Sequence, residues 1–94
     1  MKEQDFMNVG GVRLTYERIG HVLDGHPEVS IRSLDTLFRQ AVSSPEFSTP
    51  SNSVENVVMN YVRDGKDKWW AFVIKQGELG KFVLTIRRAH DKGK

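Results

Sequence analysis

The chain contains no cysteine, which excludes a disulfide framework, a thiolate zinc site and a thiol nucleophile together. No run approaches the roughly 18 apolar residues that a membrane-spanning helix needs, and residues 1–15 lack a basic stretch followed by an apolar block. Neither a membrane span nor a secretory signal is therefore expected, and the expected site of action is cytoplasmic. A phosphate-cradling glycine loop, a Gly-x-Ser-x-Gly elbow and a His-Glu-x-x-His pair are also missing, so nucleotide hydrolases, acyl-transfer enzymes and zinc proteases have no motif here. No metal or cofactor is expected, and no internal repeat is visible.

What is present fits one domain spanning 1–94. A chain of 94 residues can enclose a single modest core. Its 38% hydrophobic and 28% charged residues, with 5 Phe, 2 Tyr and 2 Trp, belong to a folded chain and not a disordered one. The formal net charge of +2 hides an asymmetry: residues 1–62 hold 5 Lys/Arg against 8 Asp/Glu, and residues 63–94 hold 9 against 4. A basic C-terminal third points to a polyanionic ligand, although such an end also serves solubility alone.

The opening segment is polar and unpatterned up to Gly10-Gly11, which reads as a loose N-terminus over 1–11 leading into a short strand at 12–14. Thr15 is a good helix cap, and Tyr16, Ile19, Val22 and Leu23 recur at helical spacing until Gly25 and Pro27, giving a helix over 16–24. Leu34, Leu37, Phe38, Ala41 and Val42 mark a second helix starting near Ser33. Residues 43–53 are rich in proline, serine and threonine and read as a loop. From Val54 the period changes to two, with turns at Asp64-Gly65 and over 77–80 separating three strands, the last running from Lys81 to about Ala89. The expected architecture is α+β, with two N-terminal helices packed on one face of a three- to four-stranded antiparallel β-sheet. Residues 89–94 form a basic tail.

A two-residue turn at Asp64-Gly65 sets Trp70 opposite Met59 and Phe72 opposite Val57, and a three-residue loop over 78–80 sets Phe72 opposite Ile86 and Ile74 opposite Leu84. The core face then carries Val57, Met59, Tyr61, Trp70, Phe72, Ile74, Phe82, Leu84 and Ile86. The open face carries Asn56, Val58, Asn60, Trp69, Ala71, Val73, Lys75, Val83, Thr85 and Arg87, with Trp69 markedly more exposed than Trp70.

Two groups of residues suggest chemistry. His21 and His26, five apart with the second beyond the helix-ending Gly25, do not share a helical face but can reach one small volume, where either serves as acid or base near neutral pH. The plainer reading is a surface or cap residue followed by part of a helix stop. On the open face, Lys75 and Arg87 with Thr85 suit a phosphate, Trp69 offers a stacking surface, and Asn60 lies alongside. The plainer reading there is a solvated face with Trp69 packed under a loop. Arg88 opens the basic tail, which attracts phosphates without reading sequence.

The strand at Val12, the Thr15-capped helix, the ending His21-x-x-x-x-His26-Pro27-Glu28, the second helix and a meander ending in Phe82-Val83-Leu84-Thr85-Ile86-Arg87 together resemble the phage- and toxin-associated nucleases of the barnase/EndoU/colicin/RelE-like (BECR) fold. The resemblance covers most of residues 12–88. It implies a small metal-independent ribonuclease toxin domain, with tRNA among its candidate targets, that cleaves RNA by attack of a ribose 2′-hydroxyl on the adjacent phosphate. Carried over, His21 and His26 match helix-borne polar residues, and Thr85 with Arg87 match a polar pair on the last strand. Lys75, Trp69, Arg88 and Asn60 would bind substrate. RNA and an antitoxin or immunity protein are the implied partners, and no glutamate stands on the sheet face to act as base. The alternative is a non-catalytic nucleic-acid- or protein-binding module from a phage or mobile element.

Overall fold

The computed structural model describes residues 4–27, 29–64, 68–78 and 80–89. Gly10 and Gly11 both take positive φ, 56° and 84°, the geometry of a tight two-residue hairpin turn that side-chain-bearing residues adopt poorly. They join β1 (Asp5–Val9) to β2 (Val12–Thr15). Residues 5–9 are therefore a strand, not a loose terminus. Thr15 ends β2 and caps α1 (Tyr16–Gly25), its Oγ1 accepting the Arg18 N–H at 3.3 Å. Ser30 does the same for α2 (Ile31–Ser43), accepting from the Ser33 N–H at 3.1 Å, so this helix starts two residues before the expected Ser33.

The other strands are β3 (Phe47–Pro50), β4 (Val57–Arg63), β5 (Trp69–Gly77) and β6 (Gly80–Ala89). One six-stranded sheet results, ordered β1-β2-β6-β5-β4-β3, antiparallel except where β2 runs parallel to β6. This corrects the expected architecture: the chain begins with strands, and the sheet is mixed and has six strands rather than three or four. β3 lies within the stretch read as a loop. It is short and ends in Pro50, as an edge strand allows, because an edge needs no donor on its outer side.

The face assignment also changes. Arg63 pairs with Trp69, Val62 with Trp70 and Asn60 with Phe72, an offset of three residues from the expected register. An odd offset turns β4 over. Val58, Asn60 and Val62 thus share the helix-bearing face with Trp70, while Val57, Met59 and Tyr61 move to the open face. The expected Asp64-Gly65 turn falls partly outside the described residues; Asp64 itself donates its N–H to the Lys68 carbonyl at 2.7 Å. On the other side of β5, Phe72 faces Ile86 as expected. A bulge between Val73 and Ile74 then puts Val83, not Leu84, opposite Ile74, and Gly77 pairs with Gly80 at φ +119° across a two-residue connection. Of that connection, Leu79 lies outside the described residues.

The core lies between the helices and the sheet, with Leu34, Phe38, Leu14, Trp70, Phe72 and Val83 among its most enclosed side chains. The Phe38 and Phe72 rings stack at 5.9 Å between centroids. Trp70 is 1% exposed and Trp69 7%, so the expected contrast between the two tryptophans is absent. Residues 69–74 are all buried, which is how a central strand enclosed on both faces reads.

Candidate active-site groove

Arg18, His21, Val22 and Gly25 follow the i, i+3, i+4, i+7 spacing and so share one side of α1. That side lies beside β6, where the four residues with His26, Thr85 and Ile86 line a groove of about 120 Å³. The groove exists because of a mismatch in strand length. β2 pairs with β6 only at Val12–Lys81 and Arg13–Phe82. The chain then leaves the sheet at Thr15, and β6 continues to Ala89 with no strand on that side among the described residues. A second hollow of about 130 Å³, lined by Arg13, Thr15, Arg18, Phe82 and Val83, fills the fork. Arg18 borders both.

The α1 terminus sets the position of His26, whose N–H donates to the Val22 carbonyl at 2.8 Å. Its ring stands edge-on to Trp70, 5.0 Å between centroids at 88°. Trp70 is held in turn by Nε1 donating to Asp64 Oδ2 at 2.9 Å, and the Arg88 guanidinium lies over its ring at 4.2 Å. The imidazole of His26 is therefore fixed against the core, whereas His21 is exposed. Arg13 is engaged by Asp5 at 2.9 Å. Arg18 makes no ion pair among the described residues, which leaves its charge available to an anion in the groove. At this size the groove holds a phosphate group but not a whole nucleoside.

The expected site residues divide among three places. His21 and His26 come together in the groove, which Thr85 borders from β6 while its pairing with Val73 turns its side chain to the open face, and Arg88 lies nearby against Trp70. Arg87, Lys75 and Trp69 stand on the opposite face of the sheet: Arg87 Nη2 donates to Met59 Sδ at 3.5 Å, and Trp69 lies under the Arg63 guanidinium at 5.0 Å. Trp69 is thus a covered side chain and not a stacking platform. Asn60, on the helix-bearing face, donates to the Ala41 carbonyl at 2.9 Å and accepts from Ser48 at 2.7 Å. Sequence reasoning missed Arg18, although its three-residue spacing to His21 inside the same motif was the available signal.

Among the described residues there is no cluster of three or more His, Asp or Glu able to hold a metal ion, and no helix is long and apolar enough to cross a membrane. Comparison with known protein families, curated proteins and solved structures finds no match to this chain.

Proposed function

We propose that the chain is a metal-independent endoribonuclease whose reaction centre is the groove between α1 and β6. The carrying observation is that this groove brings His21, His26 and Arg18 to one place on its α1 side. Cleavage of RNA by its own ribose needs that inventory: a base for the 2′-hydroxyl, an acid for the leaving 5′-oxygen, and a cation for the phosphate as charge develops. One histidine takes the 2′-proton as the 2′-oxygen bonds to phosphorus; the other gives a proton to the 5′-oxygen as the P–O5′ bond breaks. The products are a 2′,3′-cyclic phosphate and a 5′-hydroxyl. Arg18 takes the charge-neutralising role first assigned to Arg87 and Lys75, which stand across the sheet. Action in the cytoplasm as a toxin, with an antitoxin or immunity protein as partner, rests on the BECR resemblance alone.

The experiment is incubation with total RNA in chelator, comparing wild type with His21→Ala and Arg18→Ala. Each variant should lose about 100-fold or more in rate while melting normally, because both side chains lie outside the core. A substrate with 2′-deoxyribose at the cleaved position should resist, and its cleavage would overturn the mechanism.

A second reading draws on the open face, where Arg63, Lys75 and Arg87 make no ion pair among the described residues. Such a face suits binding of nucleic acid without cleavage. Wild-type RNA that stays intact but binds with a steep salt dependence, flattened in Arg87→Ala, would favour it.

A further inference from the structure

A separate cleft of about 320 Å³ lies on the helix-bearing face. Three adjacent strands supply a polar rank to it. Gln76 of β5 pairs with Lys81 of β6, and its N–H donates to the carbonyl of Asn56, just before β4, at 2.8 Å. Asn56, Gln76 and Lys81 thus stand side by side at the strand spacing of about 4.8 Å, and all three are exposed. The next rank on this face is apolar, Val58 beside Ile74. Across the cleft, Val42 of α2 meets the β1–β2 turn so closely that a Cβ on Gly10 would come within 3.0 Å of its Cγ1.

The chemistry of these walls is selective. No carboxylate lines the cleft, and Lys81 is the one full charge among its lining residues, so a ligand carrying a single anionic group fits and a cation does not. The carboxamide of Asn56 makes no hydrogen bond among the described residues, and its backbone is held at φ 61°, a conformation uncommon for a residue with a side chain. Gln76 uses Nε2 on the Gly77 carbonyl at 3.2 Å and keeps its Oε1 as an acceptor. A carboxamide offering donor and acceptor together pairs with the Hoogsteen edge of adenine, an N7 acceptor beside the N6 donor, whereas the same edge of guanine, with two acceptors, suits a cation instead. The cleft volume matches the lower end of small-molecule sites.

We infer that this cleft binds an adenine nucleotide, its base against Val58 and Ile74 with its edge read by Asn56 and Gln76, and its phosphate held by Lys81. The site stands apart from the cleavage groove: Lys81 lies four to five residues from Thr85 and Ile86 along β6, about 13 to 17 Å at the rise of a strand. The shared ligand chemistry is that of free AMP and of an adenosine within RNA.

The test is titration of the isotope-labelled protein with AMP, followed through the side-chain amide resonances of Asn56 and Gln76. Saturable shifts are expected with AMP, and weaker ones with GMP and UMP. Lys81→Ala should weaken AMP about tenfold and leave adenosine unchanged, as loss of one charge-assisted contact requires. Asn56→Gly keeps the positive φ without strain, so it should fold normally while losing the preference for adenine. A short oligoadenylate binding more tightly than AMP assigns the site to RNA, and equal affinity assigns it to free nucleotide. Absence of saturable shifts, equal response to GMP, or the same response to inorganic phosphate would overturn the inference. His21→Ala should bind AMP as wild type does, so failure of the cleavage reading and failure of this one are distinguishable.

Discussion

The two faces of the sheet are buried by different means. On one, Trp70, Phe72, Ile74 and Val83 lie under α1 and α2, against Phe38, Leu34, Ile19 and Val22. On the other, no helix is packed among the described residues, yet Tyr61, Trp69 and Ala71 are nearly as enclosed. Their cover comes from side chains of the sheet itself: Arg63 over Trp69, Arg87 reaching Met59, and Phe47 against the Tyr61 ring at 5.8 Å. The first face is a packed interior that cannot relax without moving a helix. The second is roofed by long side chains with their charged ends in water, the behaviour expected of arginine stems over apolar surface.

Truncation should separate the two. Phe72→Ala opens a hole between helix and sheet and is expected to destabilise by about 3–5 kcal/mol, whereas Trp69→Ala, whose roof can settle, should cost about 2–3 kcal/mol. Chemical denaturation measures both, and equal losses would mean that the open face is packed as rigidly as the covered one. Next comes Asn60, a polar residue on the covered face that ties β4 to both the end of α2 and β3. Asn60→Ala should cost about 1–2 kcal/mol by stranding the Ala41 carbonyl and the Ser48 hydroxyl. A neutral result would show that water replaces the amide there. The smallest effect should be Arg63→Ala, about 0.5–1 kcal/mol for one cation–π contact near solvent, accompanied by quenching of Trp69 fluorescence as water reaches the ring. Unchanged fluorescence would remove Arg63 from the roof.

The same comparison explains what could be read from sequence. Both helices were legible from their apolar stripes, and α1 from its Thr15 cap as well, because these signals are local; the pairing of Phe72 with Ile86 came out as expected only because the bulge at Val73–Ile74 offsets a connection one residue shorter than the loop assumed. The orientation of β4 was not legible. In Val57-Val58-Met59-Asn60-Tyr61-Val62 the one polar residue, Asn60, makes the parity of Val57, Met59 and Tyr61 look like the core face, and the length of the connection before β5 overrides that weak signal. Trp69-Trp70-Ala71-Phe72-Val73-Ile74 is a continuous apolar run, the pattern of a strand enclosed on both sides, and reading it as alternating made Trp69 look exposed. The edge strands β1 and β3 are short and partly polar, and the parallel contact of β2 with β6 has no local signature at all. Of the candidate site, the meeting of His21 and His26 followed from the helix end, while the groove they share with β6 opens only because β2 stops short. Arg87, Lys75 and Trp69 do stand on the open face as expected, and it is the histidines, carried by α1 on the other side of the sheet, that cannot join them.

The parallel contact between β2 and β6 also bears on the order in which the molecule can be made. Val12 and Lys81 are partners separated by 69 residues in the chain, and Thr15 belongs at once to β2 and to the cap of α1, with no linker between them. A ribosome releases the β1–β2 hairpin and α1 long before the strand they lean on exists. During synthesis these elements have only one another and α2 to dock against, and closure of the sheet must wait for a contact of long sequence separation, the slow kind. Thr15 therefore makes the first third of the chain and the strand that completes the sheet a single folding event.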